Sequence, residues 1–271
     1  MRSLLQLSLP GRATTLDEAP TSAAVAAGAE AYHAGSGPVG VLFIHGFTGS
    51  PRSMRAWAEQ LEADGFQVAV PRLPGHGTSW QELALTEWQD WYSCVEREFV
   101  ALRQSCDQVF VGGLSMGGCL ALLLAERFGE QVAGIVLVNP VVATDNRRAL
   151  MVPVSRWFLA SLEGISNDIA KPGVDECAYT RTPLHAFHSM TRMWREVGTH
   201  LDRIDQPLLI FRSIQDHVGD PSSCRAILGG VSCSDVSEHL LPRSYHVATM
   251  DYEAEQIFTE SSAFFRRLLR D

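Results

Sequence analysis

Short, unbroken apolar runs alternate with amphipathic stretches along most of the chain. VGVLFIHG (39–46) is a β-rich run of the kind buried on both faces of a parallel sheet. Comparable runs at FQVAVPRL (66–73), QVFVGGLS (108–115), VAGIVLVNP (132–140), QPLLIFRS (206–213) and VSEHLLP (236–242) each predict a strand. Between them the apolar spacing changes to that of a helix. Residues 51–63 predict a helix with Ser50 as its cap and Pro51 in its first turn. Residues 86–105 predict a long amphipathic helix capped by Thr86, with Trp88, Trp91, Val95 and Phe99 recurring at helical spacing. Further helices are expected at 116–128, 221–229 and 252–269. This alternation predicts an α/β fold with a mostly parallel, doubly wound sheet.

Two segments break the rhythm. Residues 1–28 are rich in Ala, Thr, Ser and Pro and read as an N-terminal extension. Residues 141–200 are irregular and carry Met151, Val154, Trp157, Phe158, Leu159, Leu162 and Ile165. The expected organisation is therefore a core built from 29–140 and 201–271, with 141–200 inserted either as a pair of extra surface helices or, the sharper reading, as a cap over the active site.

The charge balance narrows the possible partners. Acidic residues outnumber basic ones and the formal net charge is −9, which argues against a nucleic-acid binder. No apolar run approaches the roughly 20 residues that span a bilayer, so no integral membrane segment is expected. MRSLLQLSLPGR (1–12) lacks the long apolar region and small-residue cleavage site of a secretory signal. The six cysteines form no CxxC pair and mostly have apolar neighbours, so they are expected to be free, buried thiols in a cytoplasmic compartment. A Cys224–Cys233 bridge is the alternative.

The strongest chemical signal is Gly113-Leu114-Ser115-Met116-Gly117, set between an apolar strand and an apolar helix. A serine at such a turn adopts strained backbone angles that lift its hydroxyl clear of the sheet, and glycines two residues away leave the needed clearance. The helix behind it favours developing negative charge. A serine hydroxyl also needs a base, and the base needs an orienting acid. Two later strands end at Asp216-His217-Val218 and at Ser244-Tyr245-His246, where open α/β sheets build their sites. Asp202 and Asp205 precede a strand, Asp220 begins a helix, and His239 and His200 lie inside or before strands. Asp216 and His246 are therefore the expected acid and base. An oxyanion hole needs two backbone N–H groups, expected from Met116 after the nucleophile and from Phe47 in the loop after the first long strand. His45, just before that loop's glycine, is expected to hold the loop by hydrogen bonds.

These residues resemble the α/β-hydrolase superfamily, and more closely its bacterial monoacylglycerol lipase and carboxylesterase branch. The resemblance covers about residues 29–269. It rests on GPVGVLFIHGFTGSPRSM (37–54), VPRLPGHGT (70–78), FVGGLSMGG (110–118), LDRIDQPLLIF (201–211) with DHV (216–218), and SYHVATMDYE (244–253). It implies a triad of Ser115, Asp216 and His246, oxyanion donors at Phe47 and Met116, and a small cap over 141–195. It departs from the pattern at Gly219, where relatives carry a second β-branched residue. By the same resemblance, Glu176 in the cap faces the alcohol side of the pocket together with Ile165. Trp157 and Phe158 are further candidates for the substrate-binding lining.

The function this implies is hydrolysis of carboxylic esters through an acyl-enzyme, with monoacylglycerol the favoured substrate. A short- or medium-chain carboxylesterase, a thioesterase or acyltransferase, and a non-catalytic binding protein of the same fold are the alternatives. No metal or organic cofactor is implied. His185 and His188 form an HxxH spacing, but with no acidic or cysteine cluster nearby they read as part of a solvent-facing helix. Expected partners are a small lipid ester and, transiently, a lipid surface.

Overall fold

The computed structural model describes residues 23–146 and 151–269. Most of the expected N-terminal extension, 1–22, lies outside the described residues. Seven strands form one sheet: β1 (Tyr32–Ala34), β2 (Val39–Ile44), β3 (Gln67–Val70), β4 (Gln108–Leu114), β5 (Val132–Val138), and two that follow the insertion, described below. Between them run α1 (Arg52–Ala63), the single turn α2 (Trp80–Leu83), α3 (Trp88–Ser105) and α4 (Met116–Phe128). The insertion holds α5 (Val152–Ser155), the two-stranded pair β6 (Ser161–Glu163) and β7 (Arg181–Pro183), and α6 (Leu184–Gly198). The chain closes with β8 (Leu208–Ser213), α7 (Ser222–Gly230), β9 (Val236–Leu241) and α8 (Ala254–Arg267).

The sheet order is β1-β3-β2-β4-β5-β8-β9, and every pairing is parallel except the antiparallel edge strand β1. Alternate residues point to opposite faces. Leu42, Ile44, Val109 and Val111 pack with the apolar sides of α3, α4 and α6 on one face. Val41, Phe43, Phe110 and Val136 pack with α1 and α8 on the other. Burial on both faces explains why β2 and β5 read as continuous apolar runs. The helix α4 lies deepest, with Met116 through Ala125 all buried.

Two helix starts differ from the sequence expectation. Ser50 stands one residue outside the cap of α1, and its hydroxyl accepts only a 3.4 Å bond from the Arg52 N–H. The cap of α3 is Glu87, which exchanges bonds with Asp90 in a capping box. The Thr86 hydroxyl instead donates to the Leu83 carbonyl and accepts from the Trp91 indole, both at 2.9 Å. Helix α6 is also more embedded than a surface appendage, since Ala186, Met190, Met193, Trp194 and Val197 are buried. His185 on it is exposed, whereas His188 is half-buried. All six cysteines are free; Cys177 is exposed and Cys233 is half-buried, against the expectation of general burial.

Candidate active site

The turn from β4 into α4 places Ser115 at φ 56°, ψ −119°, a region that side-chain-bearing residues rarely occupy. The surroundings impose it. The Ser115 N–H donates 3.0 Å to the Val138 carbonyl, while its own carbonyl accepts from Gly118 at 3.0 Å and Val141 at 3.2 Å. The flanking glycines are sterically required. A Cβ on Gly113 would lie 2.4 Å from the Gly117 carbonyl oxygen, and one on Gly117 would lie 2.0 Å from that of Ile44. Helix α4 is thus seated against the end of β2, with its N-terminus directed at Ser115.

His246 follows β9 in a loop and is buried, and its Nδ1 lies 2.8 Å from Asp216 Oδ2 in the loop after β8. The other carboxylate oxygen of Asp216 accepts the N–H groups of Val218 at 2.8 Å and Gly219 at 2.7 Å. Burial alone would raise the Asp216 carboxyl, but His246 and these donors outweigh it and hold it below the usual range. For His246, burial disfavours the imidazolium, yet the charges of Asp216, Glu176 and Asp168 prevail and raise its pKa above the ordinary value. Asn139, at the end of β5, donates to the His246 carbonyl at 2.7 Å and to the Ser213 hydroxyl at 2.9 Å. Asn139 is not singled out by the sequence pattern; the one signal there is an Asn–Pro step at a strand's C-terminal end, and the structure gives it a left-handed φ of 43°.

Met116 is the first residue of α4, so its N–H has no partner within the helix. The Phe47 N–H finds no backbone acceptor among the described residues. The Phe47 ring is held between Trp91, at 5.7 Å between centroids, and Phe187, at 6.2 Å. His45 accepts the Leu73 N–H on Nε2 at 3.2 Å, which leaves Nδ1 to donate to the Gly46 carbonyl at 2.9 Å. Complete burial lowers its pKa to about 4, so it stays neutral while bracing the loop.

Ser115, His246 and Phe47 open onto a cavity of about 390 Å³, within the size range of small-molecule sites. Val152, Leu162, Leu184, Phe187, Met190 and Trp194 form its apolar wall. Thr144, Asp168, Glu176 and His217 supply polar groups. Glu176 is a buried wall residue, 8% exposed, and not a solvated surface carboxylate. Its N–H donates to Asn167 Oδ1 at 2.9 Å, and burial raises its pKa despite the nearby His246. Ile165 also lines the cavity. Trp157 and Phe158 do not. They are 69% and 82% exposed, and the Trp157 ring packs against His185 and under the Arg156 guanidinium. Residues 151–180 lack a periodic pattern that could tell inward apolar residues from outward ones, whereas Leu184, Phe187, Met190 and Trp194 of α6 recur at helical spacing and do line the cavity. Among the described residues, no cluster of three His, Cys, Asp or Glu side chains could hold a metal ion.

Comparison with known proteins identifies the family. The profile of the family described as serine aminopeptidase, S33, matches residues 39–253. A thermostable monoacylglycerol lipase of Bacillus sp. (strain H-257) is 41% identical over 90% of this chain and 96% of its own. A carboxylesterase of Bacillus subtilis (strain 168) is 24% identical over 86% of this chain and 94% of its own. A metagenome-derived lipolytic enzyme of known structure superposes with a TM-score of 0.87 at 37% identity, covering 90% of this chain and all (100%) of that one. The elbow, the parallel sheet and these matches agree: the chain belongs to the serine aminopeptidase S33 family of α/β-hydrolases.

Proposed function

We propose that the protein hydrolyses carboxylic esters through an acyl-enzyme on Ser115, with monoacylglycerol as its substrate. One observation carries this reading: a strained serine and a buried histidine, itself paired with Asp216, line one cavity that is apolar along one wall and holds a buried carboxylate in another. An acyl chain suits the apolar wall, and a glycerol hydroxyl suits Glu176. The similarity to a monoacylglycerol lipase over nearly the whole chain supports the same substrate.

In the mechanism, Ser115 Oγ attacks the ester carbonyl while His246 Nε2 takes its proton. Asp216 fixes the tautomer with Nδ1 protonated and stabilises the imidazolium. The N–H groups of Phe47 and Met116 hold the oxyanion. His246 returns the proton to the leaving alcohol, then deprotonates the water that cleaves the acyl-enzyme. Residues 29–140 and 201–271 act as the catalytic core and 141–200 as the cap. No helix among the described residues is long and apolar enough to cross a membrane. The exposed Met151, Val154, Trp157 and Phe158 suit transient contact with a lipid surface, and the thiol usage suits a cytoplasmic setting.

Rates on monoacylglycerols of graded chain length, set against short p-nitrophenyl esters, test the substrate. Preference for the short esters would make the protein a general carboxylesterase. Aminoacyl arylamides test the reading raised by the family's description, in which Glu176 would hold a peptide's terminal ammonium. Turnover of those amides in place of monoacylglycerol would replace the proposal.

A further inference from the structure

Asp168 lies in the connection between β6 and β7, within the inserted segment, yet its contacts are with both loops that carry the His–Asp pair. Its side chain is 10% exposed. Oδ2 accepts the backbone N–H of His246 at 3.1 Å and that of His217, next to Asp216, at 3.3 Å. Oδ1 lies 2.8 Å from His217 Nδ1, and the Asp168 carbonyl accepts the Val247 N–H at 3.1 Å. One residue therefore ties the acid loop to the base loop across the front of the sheet.

The tie is reciprocated. Asp251, after the histidine loop, accepts the N–H groups of Ala170 at 2.6 Å and Lys171 at 3.0 Å from the same connection. The same Asp251 carboxylate accepts the Tyr245 N–H at 2.9 Å. The preceding residue, Asn167, holds the Glu176 N–H, so the connection also positions the carboxylate in the cavity wall. Backbone N–H groups in two loops cannot satisfy each other here, and a carboxylate that accepts both fixes their separation.

We propose that Asp168 is a positioning residue for catalysis: the inserted segment clamps the His246 and Asp216 loops through it, so that cap and triad assemble as one unit. This rests on the triad reading above. A fluorophosphonate is a suitable probe because it needs the Ser–His–Asp geometry but no contact with the acyl or alcohol pocket.

Asp168→Ala is expected to slow labelling of Ser115 roughly 10- to 100-fold, the scale that small misplacements of a catalytic group cost. Asp216, Glu176 and Asp168 are the carboxylates that face His246, and Asp168 also pairs with His217. Removing one negative charge favours neutral imidazole, so the ascending limb of the pH–labelling profile should move to lower pH. Asp168→Asn retains one oxygen for the two N–H donors but no charge. It should regain most of the rate while keeping the shifted limb, and it decides the matter if the alanine variant does not fold. Wild-type labelling rates in a folded Asp168→Ala, or a folded Asp168→Asn labelled more than about 10-fold slower than wild type, would overturn the proposal. A wild type that is not labelled at Ser115 at all would remove the triad reading beneath it instead.

Discussion

The side-chain amide of Asn139 donates 2.7 Å to the carbonyl of His246, a residue 107 positions later in the chain. Its Oδ1 meanwhile accepts the Ser213 N–H at 2.7 Å. The ends of β5 and β8 and the loop of the proposed base are thereby joined at one side chain. A buried group of this kind affects both stability and geometry, and the two effects can be measured separately.

Asn139→Ala strands several buried partners at once. With each bond contributing about 1 kcal/mol, a loss of roughly 2–4 kcal/mol in urea unfolding is expected. The rate should also fall, by about 10- to 100-fold in kcat, because the His246 carbonyl loses its anchor. A destabilised variant with wild-type kcat would show that Asp216 and Asp168 suffice to place the imidazole.

Ser115 is expected to be indispensable for turnover but costly for stability. Ser115→Ala should retain less than about one part in 10³ of wild-type activity. Ser115→Gly should be equally inactive and more stable by about 1 kcal/mol, since glycine relieves the strain of φ 56°. Thermal unfolding of the two variants side by side tests this, and a less stable glycine variant would argue against stored strain.

The pH dependence follows from the charges around His246. Only the neutral imidazole acts as a base, so kcat/KM should rise with pH as His246 loses its proton. Its pKa is raised, so the midpoint should lie above the ordinary imidazole value of about 6.5. Glu176→Gln removes one of the charges that hold the proton and should move the limb downward. Asp216→Asn should depress the rate at every pH through the wrong tautomer. A wild-type profile that is flat between about pH 5 and 9 would exclude His246 as the base.

Apart from its charge on His246, which acts on every substrate alike, Glu176 should contribute to binding only when the leaving alcohol carries a hydroxyl. A charge-assisted hydrogen bond of about 1.5–3 kcal/mol corresponds to roughly 10- to 100-fold. Glu176→Ala is therefore expected to lower kcat/KM for a monoacylglycerol by that factor while sparing the methyl ester of the same acid. The ratio of the two rates is the measurement, and an unchanged ratio would assign Glu176 to loop packing alone.

Trp157 and Phe158 lie outside the cavity, so their effect should appear only at a lipid surface. The double substitution Trp157→Ser, Phe158→Ser is expected to cut the rate on emulsified monoacylglycerol about tenfold, with a dissolved short-chain ester hydrolysed as before. Vesicle co-sedimentation should fall in parallel. Equal losses on both substrates would place these residues in the path of the substrate after all.

Much of the fold and the core of the site are legible in the residues because their causes are local. The apolar run of β2 must be buried on both faces, and the Leu- and Ala-rich stretch of α4 matches its observed span of Met116–Phe128. Gly113 and Gly117 flank Ser115 for the clearance that a strand-to-helix turn as tight as this one imposes. Asp216 and His246 could be chosen by their places after successive strands. The helix caps were less certain. Ser50, Thr86 and Glu87 are all polar residues near a helix start, and only the backbone path selects which of them meets the free N–H groups.

The remaining features were decided by tertiary structure. Whether Glu176 or Trp157 turns inward depends on how the insertion folds back over the sheet, and no periodicity marks it. Asn139 and Asp168 hydrogen-bond to the His246 backbone from 107 and 78 positions away. Nothing beside them in sequence names their partner. Apolar burial depends on the pattern along the chain, which the sequence carries by itself. A hydrogen bond depends on two atoms meeting within about 3 Å, and it is strand order, together with the fold of the insertion for Asp168, that brings these groups together.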